Sequence, residues 1–113
     1  MNTILIYMTA GSKDEAFKIG KELVTNKLAA CINIVDNMHS IYLWEGEIQN
    51  DTEVVMIAKT TEDRVPALIE KVESIHSYEC PCIVSLPVSG GHQPFLDWIS
   101  AMVKKPTTLI ESP

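Results

Sequence analysis

The sequence has few basic residues and no cluster of them. Nine Lys and Arg stand against 15 Asp and Glu, which gives a net charge of −6, and the only adjacent basic pair is Lys104-Lys105. Binding to the phosphates of a nucleic acid requires clustered Lys and Arg. The charge balance therefore argues against a nucleic-acid-binding surface.

Long apolar runs are absent as well. No stretch approaches the roughly 20 residues that a membrane-spanning helix needs, and the beginning of the chain lacks the features of a secretory signal. The three cysteines are an odd number, which fits a reducing compartment better than a disulfide framework. We therefore expect a cytoplasmic protein without a membrane partner.

The chain does contain the apolar residues of one globular domain. Hydrophobic residues make up 46% and charged residues 21% of the 113 residues, which is enough for a single core, so residues 1–113 are expected to form one domain. Strand-like runs alternate with stretches of helical spacing. The predicted strands are Thr3–Met8, Ala30–Val35 resuming as Ser40–Trp44, Asp51–Lys59 and Cys82–Val88, with Thr107–Ile110 a candidate for a further short strand. The predicted helices run from Ser12 to Asn26–Leu28, from a cap at Thr60 or Thr61 to Ile75, and over Pro94–Val103.

Local signals mark several element ends. Ser12 with Glu15 predicts a capping box at the first helix, and Pro66 is compatible only with the first turn of the second. Glu45-Gly46 predicts a tight turn, so that the second and third strands form an unusually long hairpin. Pro87 predicts an edge position or an early end for the fourth strand.

The order β-α-β-β-α-β followed by a C-terminal helix predicts an α+β fold of the ferredoxin-like, split βαβ type. In that fold two helices cover one face of the antiparallel sheet, and we expect the other face to be bare. Strand residues such as Ile41 and Leu43 are too apolar for a solvated face. Such a face favours association between copies of the chain, although the residues alone do not give the number of copies.

One short segment concentrates side chains that bind metals. His76, Glu79, Cys80 and Cys82 lie within seven residues, and the two cysteines would point to the same side of an extended chain. Such side chains suit a soft ion, Cu(I) or Zn(II). The alternative is a structural joint in which Cys82 packs and His76 interacts with the helix dipole. Both interpretations remain open at this point.

Other residues give weaker indications of a functional site. Cys31 would become a nucleophile only beside a base or cation, and Lys59 could supply the cation if the second and third strands align in that way. Glu45 and Glu47 form an acidic pair at the hairpin tip, which a solvated turn explains equally well. The residues alone therefore predict no reaction and no enzyme.

Taken together, these residues resemble the CutA divalent-cation tolerance family. The resemblance extends from Ile4 to Val103, with its motifs in the right order. The matching residues are Leu28-Ala29-Ala30-Cys31-Ile32-Asn33, Ser40-Ile41-Tyr42, Trp44-Glu45-Gly46, Glu53, Lys59-Thr60, His76, Tyr78, Glu79, Pro81, Leu86-Pro87, Leu96, Trp98 and Ile99.

The resemblance implies a homotrimer in which the long hairpin strands pair between subunits. It also implies tolerance to copper and other divalent cations, with no established reaction and no required cofactor. In the cleft between subunits, Lys59 would attract an anionic group, while His76 and Glu79 could ligate a cation. The residues that the resemblance assigns to this cleft are Cys31, Lys59, His76, Tyr78, Glu79 and Trp98.

Kinship with PII-type signalling trimers gives the alternative function. In that case the cleft would bind a small metabolite or a partner protein instead of a metal ion. Two departures from the family pattern bear on this choice, because Ser77 stands where the family usually has Pro and Cys82 where it usually has Glu. We expect the first to loosen the entry to the fourth strand and the second to replace a hard carboxylate with a soft thiolate.

Overall fold

The computed structural model describes residues 2–105 and confirms the α+β fold. Its four strands form one antiparallel sheet in the order β2-β3-β1-β4, which places β4 and its Pro87 at an edge as predicted. The candidate strand Thr107–Ile110 lies outside the described residues. The elements are β1 (Thr3–Ala10), α1 (Lys13–Thr25), β2 (Cys31–Trp44), β3 (Glu47–Thr61), α2 (Val65–Ile75), β4 (Ile83–Pro87) and α3 (Gln93–Met102).

Helix α1 begins at its predicted cap. The Ser12 hydroxyl accepts the Glu15 amide at 3.2 Å, which satisfies one of the N–H groups that the first turn leaves free. The prediction that the Glu15 side chain completes a capping box with the Ser12 amide is wrong, because the Glu15 carboxylate accepts hydrogen bonds from Gly11 and Ser77 instead. The apolar stripe of the helix is buried at Ala16, Ile19 and Leu23.

Helix α2 begins later than the sequence predicts. A short 3₁₀ turn, Glu62–Arg64, precedes it, and Pro66 lies in its first turn. Neither predicted threonine caps the helix. The Thr60 hydroxyl donates to the Leu28 carbonyl at 2.7 Å, and the Thr61 hydroxyl donates to the Asp63 side chain.

The main core lies between the sheet and the pair α1 and α2. Alternate residues of the two central strands point into it, including Ile6 and Met8 of β1 and Met56 and Ala58 of β3. Helix α3 packs against β3 and β1 and buries Ile99 and Val103 in a separate cluster with Ala30. The expectation of a wholly bare second face is therefore wrong at this end of the sheet. None of the helices in residues 2–105 is long and apolar enough to cross a membrane.

The hairpin of β2 and β3 extends well beyond the rest of the sheet. Strand β1 ends where Ala10 pairs with Val54, so residues 38–53, here called the arm, form a two-stranded ribbon. The predicted turn is confirmed by positive φ angles at Glu45 (50°) and Gly46 (80°), as in a type I′ turn. Such a ribbon is marginally stable by itself. Its large exposed apolar residues are Ile41, Tyr42, Leu43, Trp44 and Ile48.

Candidate functional site

Residues 76–82, here called the joint, connect α2 to β4, and His76 fixes their path. The His76 side chain is 1% exposed, its Nε2 lies 2.8 Å from the Thr9 carbonyl oxygen, and its Nδ1 accepts the Tyr78 amide at 3.0 Å. A carbonyl only accepts, so Nε2 carries a proton. Both nitrogens have partners within the chain. Ligating a metal through His76 would therefore break one of these hydrogen bonds.

Glu15 accepts hydrogen bonds from Ser77, the next residue of the joint. Its carboxylate accepts the Ser77 amide at 2.7 Å and the Ser77 hydroxyl at 2.9 Å. Burial raises the pKa of Glu15, but these hydrogen bonds, the nearby His76 and the Gly11 amide outweigh burial and leave the pKa below its ordinary value. Ser77 thus supplies an amide donor that a proline lacks, while the expected loosening of the entry to β4 stays a prediction.

Tyr78 crosses from the joint to the base of the arm. Its hydroxyl donates to the Glu53 carboxylate at 2.9 Å, and the Ser40 hydroxyl donates to the other oxygen of Glu53 at 2.7 Å. The ring lies against Gly11, where an added Cβ would come within 3.3 Å of the Tyr78 hydroxyl. Burial and the Glu53 carboxylate raise the pKa of Tyr78 to about 12. Tyr78 therefore remains a neutral hydrogen-bond donor at ordinary pH.

The end of the joint presents two free thiols. Cys80 and Cys82 are both exposed, as is Glu79. Burial and the charge of Glu53 raise the pKa of the Cys82 thiol. Within residues 2–105, no three His, Cys, Asp or Glu side chains are grouped so that they could hold a metal ion. The predicted set of His76, Glu79, Cys80 and Cys82 is therefore not assembled as one site within a single chain.

The remaining cleft candidates lie at the other end of the sheet. Cys31 and Lys59 are partners in the strand register, which is the alignment that a role for Lys59 beside Cys31 requires. The Lys59 ammonium donates to the Asn33 side chain. Trp98 is 40% exposed on α3 and stacks on Phe95 with ring centroids 5.7 Å apart.

One chain does not bring these two groups of candidates together. Lys59 and Glu53 are six residues apart on β3, which corresponds to about 20 Å along a strand. Lys59 therefore lies far from Tyr78, which contacts Glu53. A cleft that uses both groups requires a second copy of the chain.

Sequence reasoning missed the residues that hold the joint in place. Glu15 was assigned only to helix capping, and Glu53 was part of the resemblance without a role. A signal for Glu53 was available, because Asp51 and Glu53 alternate on one side of β3, diagonal to Tyr42 and Ser40 of β2. No local signal indicates the contact from Glu15 to Ser77, because 62 residues separate the partners.

Comparison with known proteins identifies the family. The model of the CutA1 divalent ion tolerance protein matches residues 4–102. The chain belongs to the CutA1 divalent ion tolerance family. It is 42% identical over 95 residues to the divalent-cation tolerance protein CutA of Thermus thermophilus, a match that covers 84% of this chain and 92% of the relative.

Other CutA proteins agree in sequence and in structure. The chloroplastic CutA 1 protein of rice, Oryza sativa, is 38% identical over 97 residues, but the match covers 86% of this chain and only 55% of the rice protein. The chain thus spans about half the length of this plant relative. The crystal structure of CutA1 from Oryza sativa superposes with a TM-score of 0.91 at 35% identity, covering 94% of this chain and 97% of that structure.

Proposed function

We propose that this CutA family chain acts as a homotrimer that binds copper or another thiophilic cation at the joint and so contributes to tolerance of divalent cations. The observation that carries the proposal is the pair of exposed, free thiols at Cys80 and Cys82. The action proposed is binding, without turnover and without a required cofactor. We further propose a cytoplasmic location, because free thiols persist in a reducing compartment.

The chemistry of the joint favours a soft ion. Cys80 and Cys82 are both exposed and lie close in sequence to the exposed Glu79, so the joint offers two sulfur ligands beside a carboxylate. Sulfur ligands prefer Cu(I) and Zn(II) over hard cations. Because the pKa of Cys82 is raised by burial and by Glu53, binding must displace a proton, and the affinity is expected to increase with pH.

The arm supports assembly into a larger unit. Ile41, Leu43 and Ile48 are 72%, 66% and 71% exposed on a ribbon that pairs with no third strand within residues 2–105. Covering them by another subunit removes apolar surface from water. The number of three subunits comes from the trimer that the CutA resemblance implies. In a trimer, the Lys59 group of one subunit could approach the Tyr78 group of another.

A second candidate function is a PII-like module that binds an anionic metabolite or a partner protein. It is favoured by Lys59, which is half-buried and hydrogen-bonded to the neutral Asn33 side chain. A half-buried cation with a neutral partner is suited to an anionic ligand. A thermal-shift screen of anionic metabolites distinguishes this candidate, because a ligand of Lys59 stabilises the wild type but not Lys59→Ala.

Titration with Cu(I) and Zn(II) tests the metal proposal. We expect the double variant Cys80→Ser/Cys82→Ser to lose affinity by about 100-fold or more, because oxygen replaces both sulfur ligands. Cys31→Ser is the matched control, since it removes a free thiol elsewhere, and should bind like the wild type. Equal affinities in the wild type and the double variant would remove the thiols from the site.

A further inference from the structure

The arm has a limited backbone connection to the rest of the sheet. Strand β1 accompanies β3 only as far as the pair of Ala10 with Val54, so Glu53 is the first arm residue beyond it. On the other strand, the register shifts between Val35 and Met38, which is the partner of Glu53. Such an irregularity disrupts the hydrogen-bond ladder locally, and a ribbon of two strands is marginally stable by itself. Side chains that reach the arm from other elements therefore matter for its order.

Two tyrosines from outside the arm contact the pair at its base. The Tyr7 hydroxyl of β1 donates to the Met38 sulfur at 3.4 Å, and sulfur is a weak acceptor. The Tyr78 hydroxyl of the joint donates to one oxygen of Glu53 at 2.9 Å, while Ser40, within the arm, donates to the other at 2.7 Å. Hydrogen bonds to a charged partner are the stronger kind. The contact from Tyr78 to Glu53 is therefore the stronger of the two tyrosine tethers.

Tyr78 is itself held in place by the body of the domain. Its amide donates to Nδ1 of the buried His76 at 3.0 Å, and the two ring centroids lie 4.7 Å apart. On its other side the ring lies against Gly11, just after β1, where an added Cβ would come within 3.3 Å of the Tyr78 hydroxyl. The phenol thus has little freedom to move. It transmits the fixed position of the joint to Glu53.

We propose that Tyr78 is a positioning residue for assembly: from the joint it holds Glu53 and so keeps the arm ordered for contact with another subunit. Ordering a flexible segment opposes association, so a segment that is ordered in advance binds more tightly. The side chains that this order presents are the exposed Ile41, Leu43 and Ile48. The inference rests on the proposed function, because it requires the trimer, but it requires no cation at the joint.

Sedimentation of the full chain over a range of concentrations tests the effect on assembly, at a fixed urea concentration at which the wild type dissociates on dilution. Tyr78→Phe should raise the chain concentration at half assembly by about tenfold, because each arm loses a hydrogen bond to a charged group. In a Glu53→Ala background, Tyr78→Phe should have little further effect, because its partner is already absent. Tyr7→Phe should have a smaller effect than Tyr78→Phe, because the acceptor of Tyr7 is a sulfur.

Hydrogen exchange of the dissociated chains separates positioning from general stabilisation. Tyr78→Phe should accelerate exchange of the amides in residues 38–53 and leave the amides of β1 unchanged, as expected for a local loss of order. Acceleration in β1 equal to that in the arm would show that Tyr78 stabilises the whole fold, and the inference would fail.

The matched control is Tyr42→Phe. It removes a phenol whose carboxylate partner, Asp51, lies within the arm itself, so the tether to the joint remains and the variant should assemble like the wild type. Equal midpoints in the wild type and Tyr78→Phe, or an equal shift in Tyr42→Phe, refute this inference and leave the trimer standing. A wild type that sediments as single chains at every concentration refutes the trimer and, with it, the inference.

Discussion

At the scale of single residues, Glu15 connects the start of α1 to the joint. Its helical position was predictable, because Ser12 and Glu15 form a local capping pattern and Ser12 does cap the helix. Its main hydrogen-bond partner, Ser77, was not predictable, because Ser77 is 62 residues away and only the fold brings the two residues together. The same limit applies to His76, which looks like a metal ligand in sequence but bonds to Thr9 and Tyr78 in the structure.

Replacing Glu15 tests this connection through its pH dependence. The pKa of Glu15 is lowered in the fold, so its carboxylate stabilises the protein above its unfolded pKa, and this contribution is lost as pH falls through the folded pKa. We expect Glu15→Gln to reduce the free energy of unfolding by about 1–2 kcal/mol at pH 7. The difference from the wild type should shrink below about pH 4.

Urea unfolding at one fixed chain concentration, at pH 7 and pH 3.5, measures the loss of unfolding free energy and its change with pH. Asp14→Asn is the control, because Asp14 is an exposed carboxylate in the same first turn and should have less effect at either pH. A difference between wild type and Glu15→Gln that grows on acidification would contradict the assigned role of the Glu15 carboxylate.

At the scale of elements, the order of strands and helices was predictable because its signals are local. Apolar alternation marks the strands, Glu45-Gly46 marks the hairpin turn, and both are confirmed. The start of α2 was wrong by several residues, because Thr60 and Thr61 are used elsewhere: the Thr60 hydroxyl donates to the Leu28 carbonyl. A threonine that precedes a helix predicts a cap only when no tertiary partner competes for its hydroxyl.

Arg64, just before α2, supports the end of α1. It is 7% exposed and donates to the Lys27 carbonyl at 3.1 Å and the Asn26 carbonyl at 3.5 Å. These groups follow the last turn of α1, where carbonyls lack helical partners and the helix dipole favours a cation. A long-range cap of this kind has no sequence signature.

We expect Arg64→Leu to reduce the free energy of unfolding by about 2 kcal/mol, because two carbonyls at the end of α1 lose a charged donor. Lys71→Leu is the control. Lys71 forms a partly exposed ion pair with Glu22 at 3.1 Å, and ion pairs near the surface contribute less than about 1 kcal/mol. Denaturant unfolding of both variants measures the two values. Equal losses would contradict the capping role of Arg64.

At the scale of the whole molecule, the arm makes the chain unusually long, with extents of 60 × 33 × 23 Å. Its length and apolar character were predictable, but its contact with the joint through Glu53 and Tyr78 was not, because 25 residues separate these partners. The candidate cleft residues fall into two separate groups within one chain. The resemblance to the CutA family could indicate those residues, whereas only an assembly could bring them together.

Substitution on the arm tests whether it lies in a subunit interface. Leu43 is 66% exposed in the single chain, so Leu43→Asp costs little in an isolated subunit, but it would bury an unpaired charge in an interface. We expect the variant to sediment as single chains. Phe17→Asp, at a 49% exposed position on α1, should sediment like the wild type. An intact assembly in Leu43→Asp would exclude Leu43 from the interface.

The central claim is that three chains form one assembly and bind thiophilic cations at the joint. Native mass spectrometry after equilibration with zinc measures both properties in one spectrum. The account predicts the mass of three chains with one zinc ion per chain, and three chains without zinc for Cys80→Ser/Cys82→Ser. A single-chain mass, or a wild-type trimer that retains no more zinc than the double variant, would contradict it.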